Sequence, residues 1–188
     1  KATWKKHRKV VFGGDGYSGA WHKEAAKRGL ANLPTTPDAL PWLVAKSTIK
    51  MFENYDVLSE RELESRFEVA VEQYSTKLNI EGETAASMAA TMILPAAIRY
   101  IAECRAAGVP QVEKQVRGAT DRLVKQLRRL EKANEDHPAE EGLELAKYMR
   151  DKVIPAMDGV RAEADALERM IPDDLWPLPK YSEMLFIK

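Results

Sequence analysis

Apolar residues recur at steps of three and four along much of the chain, and the breaks in that rhythm divide it into elements. Leu63, Phe67, Ala70, Val71, Tyr74, Leu78, Ala85, Met88, Met92, Ala96, Tyr100 and Cys104 form one stripe, the period of a helix with a single buried side. Ser59-Glu60-Arg61-Glu62 opens it as a capping box, and Gly108 closes it. Unbroken, such a helix holds about 49 residues and runs roughly 73 Å at 1.5 Å per residue. Gly82 and Pro95 interrupt it. A kink is predicted at Pro95, where a backbone donor is missing and the ring crowds the preceding turn. Pro110 opens a second helix, striped by Val112, Val116, Ala119, Leu123, Leu127 and Leu130 as far as the turn at Asn134 to His137. Pro138 opens the last long helix, with Ala146, Met149, Val153, Ala156, Val160, Leu167 and Met170 as its stripe, and Pro172 ends it.

The N-terminal part reads differently. Val10-Val11-Phe12 is a short apolar run before the breaker Gly13-Gly14-Asp15-Gly16, which predicts one short strand and a tight turn. A lone strand needs a partner. Ser18 can cap a short helix ending at Gly29, and Leu30 to Thr36 is a connector. Thr36-Pro37-Asp38 opens a further helical region whose main helix runs from about Pro41 to Tyr55. The fold class is therefore mainly α: an antiparallel bundle of long helices with Pro kinks, one short N-terminal strand and an irregular Pro-rich C-terminal tail. Three parts follow: 1–36 as a joining segment, 37–172 as the bundle and 173–188 as the tail.

Charge adds orientation. Glu53 to Glu83 carries nine acids and three bases, Arg105 to Lys132 eight bases and three acids, and Asn134 to Glu168 ten acids and four bases. An acidic, a basic and an acidic helix side by side attract across both seams, though each exposed pair contributes only about 0.2–1 kcal/mol. Length adds a further constraint. The second helix, counted back from Gly108, covers the first only as far as about Glu83, so residues 59–82 must pack on something else. The 41–55 helix covers part, and an absent domain or another subunit is left for the rest. Gly82, at that junction, is read as a hinge or a close contact. The strings Ile93-Leu94-Pro95-Ala96 and Val153-Ile154-Pro155-Ala156 place two prolines within about five residues of the same level, by the same counting.

Composition limits the chemistry. Hydrophobic residues make up 45% and charged residues 31% of 188, with zero formal net charge, a soluble globular profile with no general pull toward nucleic acid or an anionic membrane. No stretch approaches the roughly 18 apolar residues of a membrane span. The single cysteine, Cys104, allows no internal disulfide and no cysteine-based zinc site, and at its place in an apolar stripe it reads as a core residue in a reducing compartment. His7, His22 and His137 stand in separate elements without ligand spacing. Gly13-Gly14-Asp15-Gly16 lacks the Lys-Ser/Thr of a phosphate loop and reads as a turn in which Asp15 and the helix start near Ser18 share hydrogen bonds. Lys5, Lys6, Arg8 and Lys9 with Trp4, and Lys125, Arg128, Arg129 and Lys132, could touch nucleic acid. The more ordinary reading is solvated surface. The residues alone thus give a helical bundle with no catalytic, cofactor-binding or metal-ligating side chain.

Longer strings carry more. Lys6-His7-Arg8-Lys9-Val10-Val11-Phe12-Gly13-Gly14-Asp15-Gly16-Tyr17-Ser18, then Trp21, Glu24-Ala25 and Arg28-Gly29-Leu30, resemble the segment after the catalytic barrel of type III glutamine synthetases. Ser59 to Arg66, Glu72-Gln73-Tyr74, Asn79-Ile80-Glu81, Thr91 to Ala96 and the ending Trp176-Pro177-Leu178-Pro179-Lys180-Tyr181 resemble that family too. Gly14 and Gly19 depart from it, where larger residues are expected. The resemblance implies the non-catalytic C-terminal region of a cytoplasmic glutamate–ammonia ligase. Such an enzyme uses ATP and Mg2+ (or Mn2+) and assembles as a ring-built homo-oligomer. It also implies that the family's metal-binding glutamates and nucleotide contacts precede Lys1. Taken with the uncovered face of residues 59–82, it leads to the expectation that this piece braces an absent catalytic domain of the same chain. No nucleic-acid or membrane partner is implied. The alternative is a free-standing helical scaffold or adaptor.

Overall fold

The computed structural model describes residues 1–139 and 141–185. The chain is mainly helical: α1 Ala2–Lys6, α2 Gly19–Lys27, α3 Thr36–Ala39, α4 Lys46–Asn54, α5 Glu60–Met88, α6 Leu94–Ala106, α7 Pro110–Glu135, α8 Leu143–Tyr148, α9 Ile154–Glu168 and α10 Tyr181–Met184. Among the described residues there is no strand. The predicted strand at Val10–Phe12 is replaced by a 3-10 turn over Arg8–Val10 and irregular chain after it. No second strand lies alongside, and instead the Arg28 guanidinium donates to the carbonyls of Val11 at 2.8 Å and Lys9 at 3.2 Å.

α5 starts where the sequence places it. The Ser59 hydroxyl accepts from the Glu62 amide, and the Glu62 carboxylate accepts from the Ser59 amide at 2.8 Å, which satisfies two of the donors a helix start leaves open. Gly108 ends α6 at φ +69, and the Val109 amide donates back to the Cys104 carbonyl at 3.1 Å, a left-handed cap that glycine enters without strain. Contacts between α5–α6 and α7 run in reverse order of sequence: Arg105 pairs with Glu113 at one end, while Gly82 lies against Asn134 at the other. α7 and α9 are related in the same way, with Tyr148 hydrogen-bonded to the Ala133 carbonyl and Arg122 paired with Glu163. Between these helices sits the core of Ala89, Ile93, Ala97, Val116, Leu123, Leu130, Met149, Val153 and Leu167. Full burial of each larger side chain contributes roughly 1.5–3 kcal/mol.

The helix boundaries depart from the sequence reading in four places. Pro41 does break the 41–55 helix, which becomes a 3-10 stretch over Leu40–Val44 followed by α4. The last helix starts at Leu143 rather than Pro138, because Gly142 at φ +82, ψ −144 turns the chain through a conformation closed to other residues. The tail is not wholly irregular: Trp176 is buried in the core and α10 forms one short turn, while residues 186–188 lie outside the described residues.

The fourth departure is at the prolines. Ahead of each, the helix widens into a π turn, over Ala89–Ile93 and Met149–Val153. The Leu94 amide reaches the Ala89 carbonyl and the Ile154 amide the Met149 carbonyl, five residues back instead of four, so the chain absorbs the missing proline donor without ending the helix. The two sites are not level. Val153 packs beside Gly82, not beside Ile93, which offsets the prolines by roughly three helical turns.

Among the described residues, one helix is long and apolar enough by length and composition to cross a membrane: Glu60–Ala106, with a mean hydropathy of 1.4 in an 18-residue window. This corrects the expectation that no stretch approaches the apolar length of a span: Ser87, Thr91 and Pro95 punctuate the segment, but its mean hydropathy still suits one. A third of the window is buried here, 33%, against the neighbouring helices.

Candidate functional site

Residues 59–82 gain more cover than their lengths suggested. Leu63, Val71, Ser75 and Leu78 are buried, packed by the Leu40–Val44 stretch, by α8 and by the second π turn. Arg150 fastens this layer. Its guanidinium donates to Asp38 at 2.7 Å and to Asp151 at 2.6 Å, and that bond holds the Asp151 carboxyl below the usual carboxylate range. Nothing in the spacing of Asp38 and Arg150, 112 positions apart, announces the pair.

Beside the layer runs a groove of about 550 Å³, with Phe67, Val71, Leu145 and Met149 as its floor and Glu68, Glu72 and Glu141 on its rim. A second hollow lies between α5, α9 and the tail. It is floored by Met88, Ile93, Met157, Val160 and Trp176, and among the described residues the buried Trp176 indole nitrogen has no hydrogen-bond partner.

The N-terminal arm is built by local contacts. Phe12 and Trp21 stack with ring centroids 4.6 Å apart, and Arg28 lies over Trp21 while pairing with Glu24 at 2.7 Å. That bond keeps the Glu24 carboxyl below its ordinary range. The glycine-rich turn is held by Asp15, whose carboxylate accepts from the Tyr17 amide and whose carbonyl accepts from the Ser18 hydroxyl, so the predicted local network is present. Gly19 faces open space, where a larger residue fits. A side chain at Gly14 would meet the Phe12 ring at 2.8 Å. Neither α1 nor α2 makes an extended contact with another element, and Trp4, Val10, Val11, Tyr17, Trp42 and Tyr55 are all exposed.

The polar candidates stay apart. His7, His22 and His137 lie in the arm, in α2 and after α7, and among the described residues no three His, Cys, Asp or Glu side chains converge as a metal cage. The described residues therefore offer no ligand set that fits a divalent metal. Cys104 is buried at 3% exposure. Lys125, Arg128, Arg129 and Lys132 line the outer side of α7.

Comparison with known proteins settles the family. The family described as "Glutamine synthetase C-terminal domain" matches residues 1–109. The chain belongs to that family. The match takes in the arm and the whole of α5 and α6. The type-3 glutamine synthetase of Dictyostelium discoideum is 35% identical over 213 residues, covering 100% of this chain and 28% of that protein. Glutamine synthetases of Butyrivibrio fibrisolvens and of Bacteroides fragilis (strain YCH46) are 32% and 33% identical over 99% and 95% of the chain, which spans 29% and 27% of them. This glutamine synthetase C-terminal domain thus spans under a third of the length of the relatives it matches. α7 to α10 lie beyond the family match but within the aligned relatives.

Proposed function

We propose that this chain is the non-catalytic C-terminal region of a cytoplasmic enzyme that ligates ammonia to glutamate at the expense of ATP, and that it braces the catalytic domain and the assembly of a ring-built homo-oligomer. The ATP and the Mg2+ or Mn2+ belong, in this reading, to a part of the parent protein outside these residues. The observation that carries the bracing role is the arm. It exposes Trp4, Val10, Val11 and Tyr17, a concentration of large apolar side chains that marks a surface built to be covered. A free-standing scaffold would leave them in water.

The test uses the full-length enzyme, intact and lacking residues 5–188, with glutamine formation and particle size as readouts. Because the deletion can act through misfolding, Trp4→Asp and Val11→Asp are made in parallel. Both side chains are exposed, so the arm itself tolerates the charge. A fall in activity or particle size in the point variants supports bracing, and unchanged values in deletion and point variants together discard it.

A further inference from the structure

The expected charge seams form only in part, and what is left over points outward. α7 reaches α9 through Arg122–Glu163 and α6 through Arg105–Glu113. The acidic half of α5, however, lies past the end of α7, since Gly82 already meets Asn134. Arg129 therefore stands near the level of residue 87, roughly 22 Å along the axis from Glu72 at 1.5 Å per residue. That is more than two screening lengths at physiological salt, about 8 Å each. Within one copy these charges cannot compensate each other.

Both sets are exposed and unspent. Lys125, Arg128 and Arg129 make no ion pair or hydrogen bond among the described residues, and neither do Glu64, Glu68 and Glu72. Each set is a line along its helix. The carboxylates recur every fourth residue over about 12 Å, and the basic residues span about 6 Å from Lys125 to Arg129, or about 10.5 Å when continued by Lys132, which also pairs with Asp136 at 3.9 Å. The lines oppose in sign. The acidic line also borders the apolar floor of Phe67 and Val71.

We propose that the basic line on α7 docks on the acidic line of α5 in a second copy of this chain. The inference rests on the assembly reading above and gives it a surface. Two different patches of one molecule that fit each other make a head-to-tail contact, which closes into a ring when the rotation between copies divides a full turn. Charge complementarity favours this occupant over a nucleic acid, which would leave the acidic line uncovered and repelled.

The experiment takes the full-length protein and compares Lys125→Glu/Arg128→Glu/Arg129→Glu, Glu64→Lys/Glu68→Lys/Glu72→Lys and the two sets combined. Sedimentation gives association, circular dichroism checks helicity, and a random single-stranded RNA serves as competing polyanion. Each single reversal should weaken association by about tenfold or more at low salt, and the combination should restore most of it. An Arg128→Cys/Glu68→Cys variant should cross-link heavy-isotope to light-isotope copies. If the wild type assembles and neither reversal alters it, the docking idea fails while the assembly reading stands; a wild type that stays monomeric ends both. RNA binding that is lost on α7 reversal, with assembly unchanged, would overturn the second copy in favour of nucleic acid.

Discussion

The N-terminal arm and the bundle begin their helices alike. Ser18 caps α2 by accepting from the Trp21 amide, and Ser59 caps α5 by accepting from the Glu62 amide. They also end them alike, at glycines with φ +68 and +69. What separates them is what the helices bury. α5 sets Leu63 and Val71 at no more than 1% exposure, whereas α2 buries only Ala25 among its nine residues. Capping is local chemistry and works on any segment; stability comes from an apolar face with somewhere to go. The arm has the first without the second.

The comparison breaks most clearly at the core. Leu123→Ala removes a fully buried side chain at the centre of the bundle and should cost about 2–5 kcal/mol in denaturant unfolding. Trp4→Ala on the same chain should stay within about 0.5 kcal/mol, and a large loss there would show that the arm has a core of its own. Next are two glycines in close contacts. A Cβ at Gly82 would sit 3.0 Å from Val153 and 2.7 Å from Asn134. Val153 is β-branched and fully buried, hence unable to turn away, so Gly82→Ala should destabilise by about 1–3 kcal/mol. At Gly159 the opposing group is the end of the Gln126 side chain, which can swing aside. Gly159→Ala should be neutral or stabilising by up to about 1 kcal/mol through helix propensity. This contrast answers the question the sequence left at Gly82: the glycine serves a close approach.

Caps test the difference directly. Ser59→Ala should lower global stability by about 1 kcal/mol, because α5 is part of the cooperative core. Ser18→Ala should instead speed amide exchange in α2 and leave the global unfolding midpoint unmoved. The smallest effect is with pH. Hydrogen bonds from Ser59 hold Glu62 below its ordinary value of 4.5, and Arg117 and Arg105 do the same for Glu113. A carboxylate with a lowered folded value contributes fully above that ordinary value. Its share is lost as pH falls below it, so thermal midpoints should decline on the acid side and show no matching change from these groups above pH 5 (roughly one half-unit past that value).

Much of this was legible because it is written locally. The capping box at Ser59, the glycine at 108 and the heptad-like stripe of α7 each need only a few consecutive residues, and each stands where the pattern puts it. The strand expected at Val10–Phe12 does not form, because an apolar run signals burial without saying in which conformation. Here an arginine eighteen or so residues downstream takes the carbonyls that a strand partner would have taken. Asp56, at φ 51, closes α4 in the conformation usually left to glycine, which its position in the sequence does not disclose. The stagger of the prolines also escaped the count, because the last helix enters after Gly142 and slides along α5. Of the candidate surfaces, the long runs of like charge were visible at once; that they fail to meet within one copy required the register.

That stagger governs how the bundle carries load. Each π turn is the place where its helix bends most readily, since the helix widens there and the proline that follows supplies no donor. Were both at one height, the parallel pair would fold there like a knee. Set roughly three turns apart, each weak point is splinted by an unbroken stretch of the other helix, as offset joints strengthen a laminated beam, and no single plane crosses both. The pair can flex gently over its whole length and yet transmit a push from one end to the other.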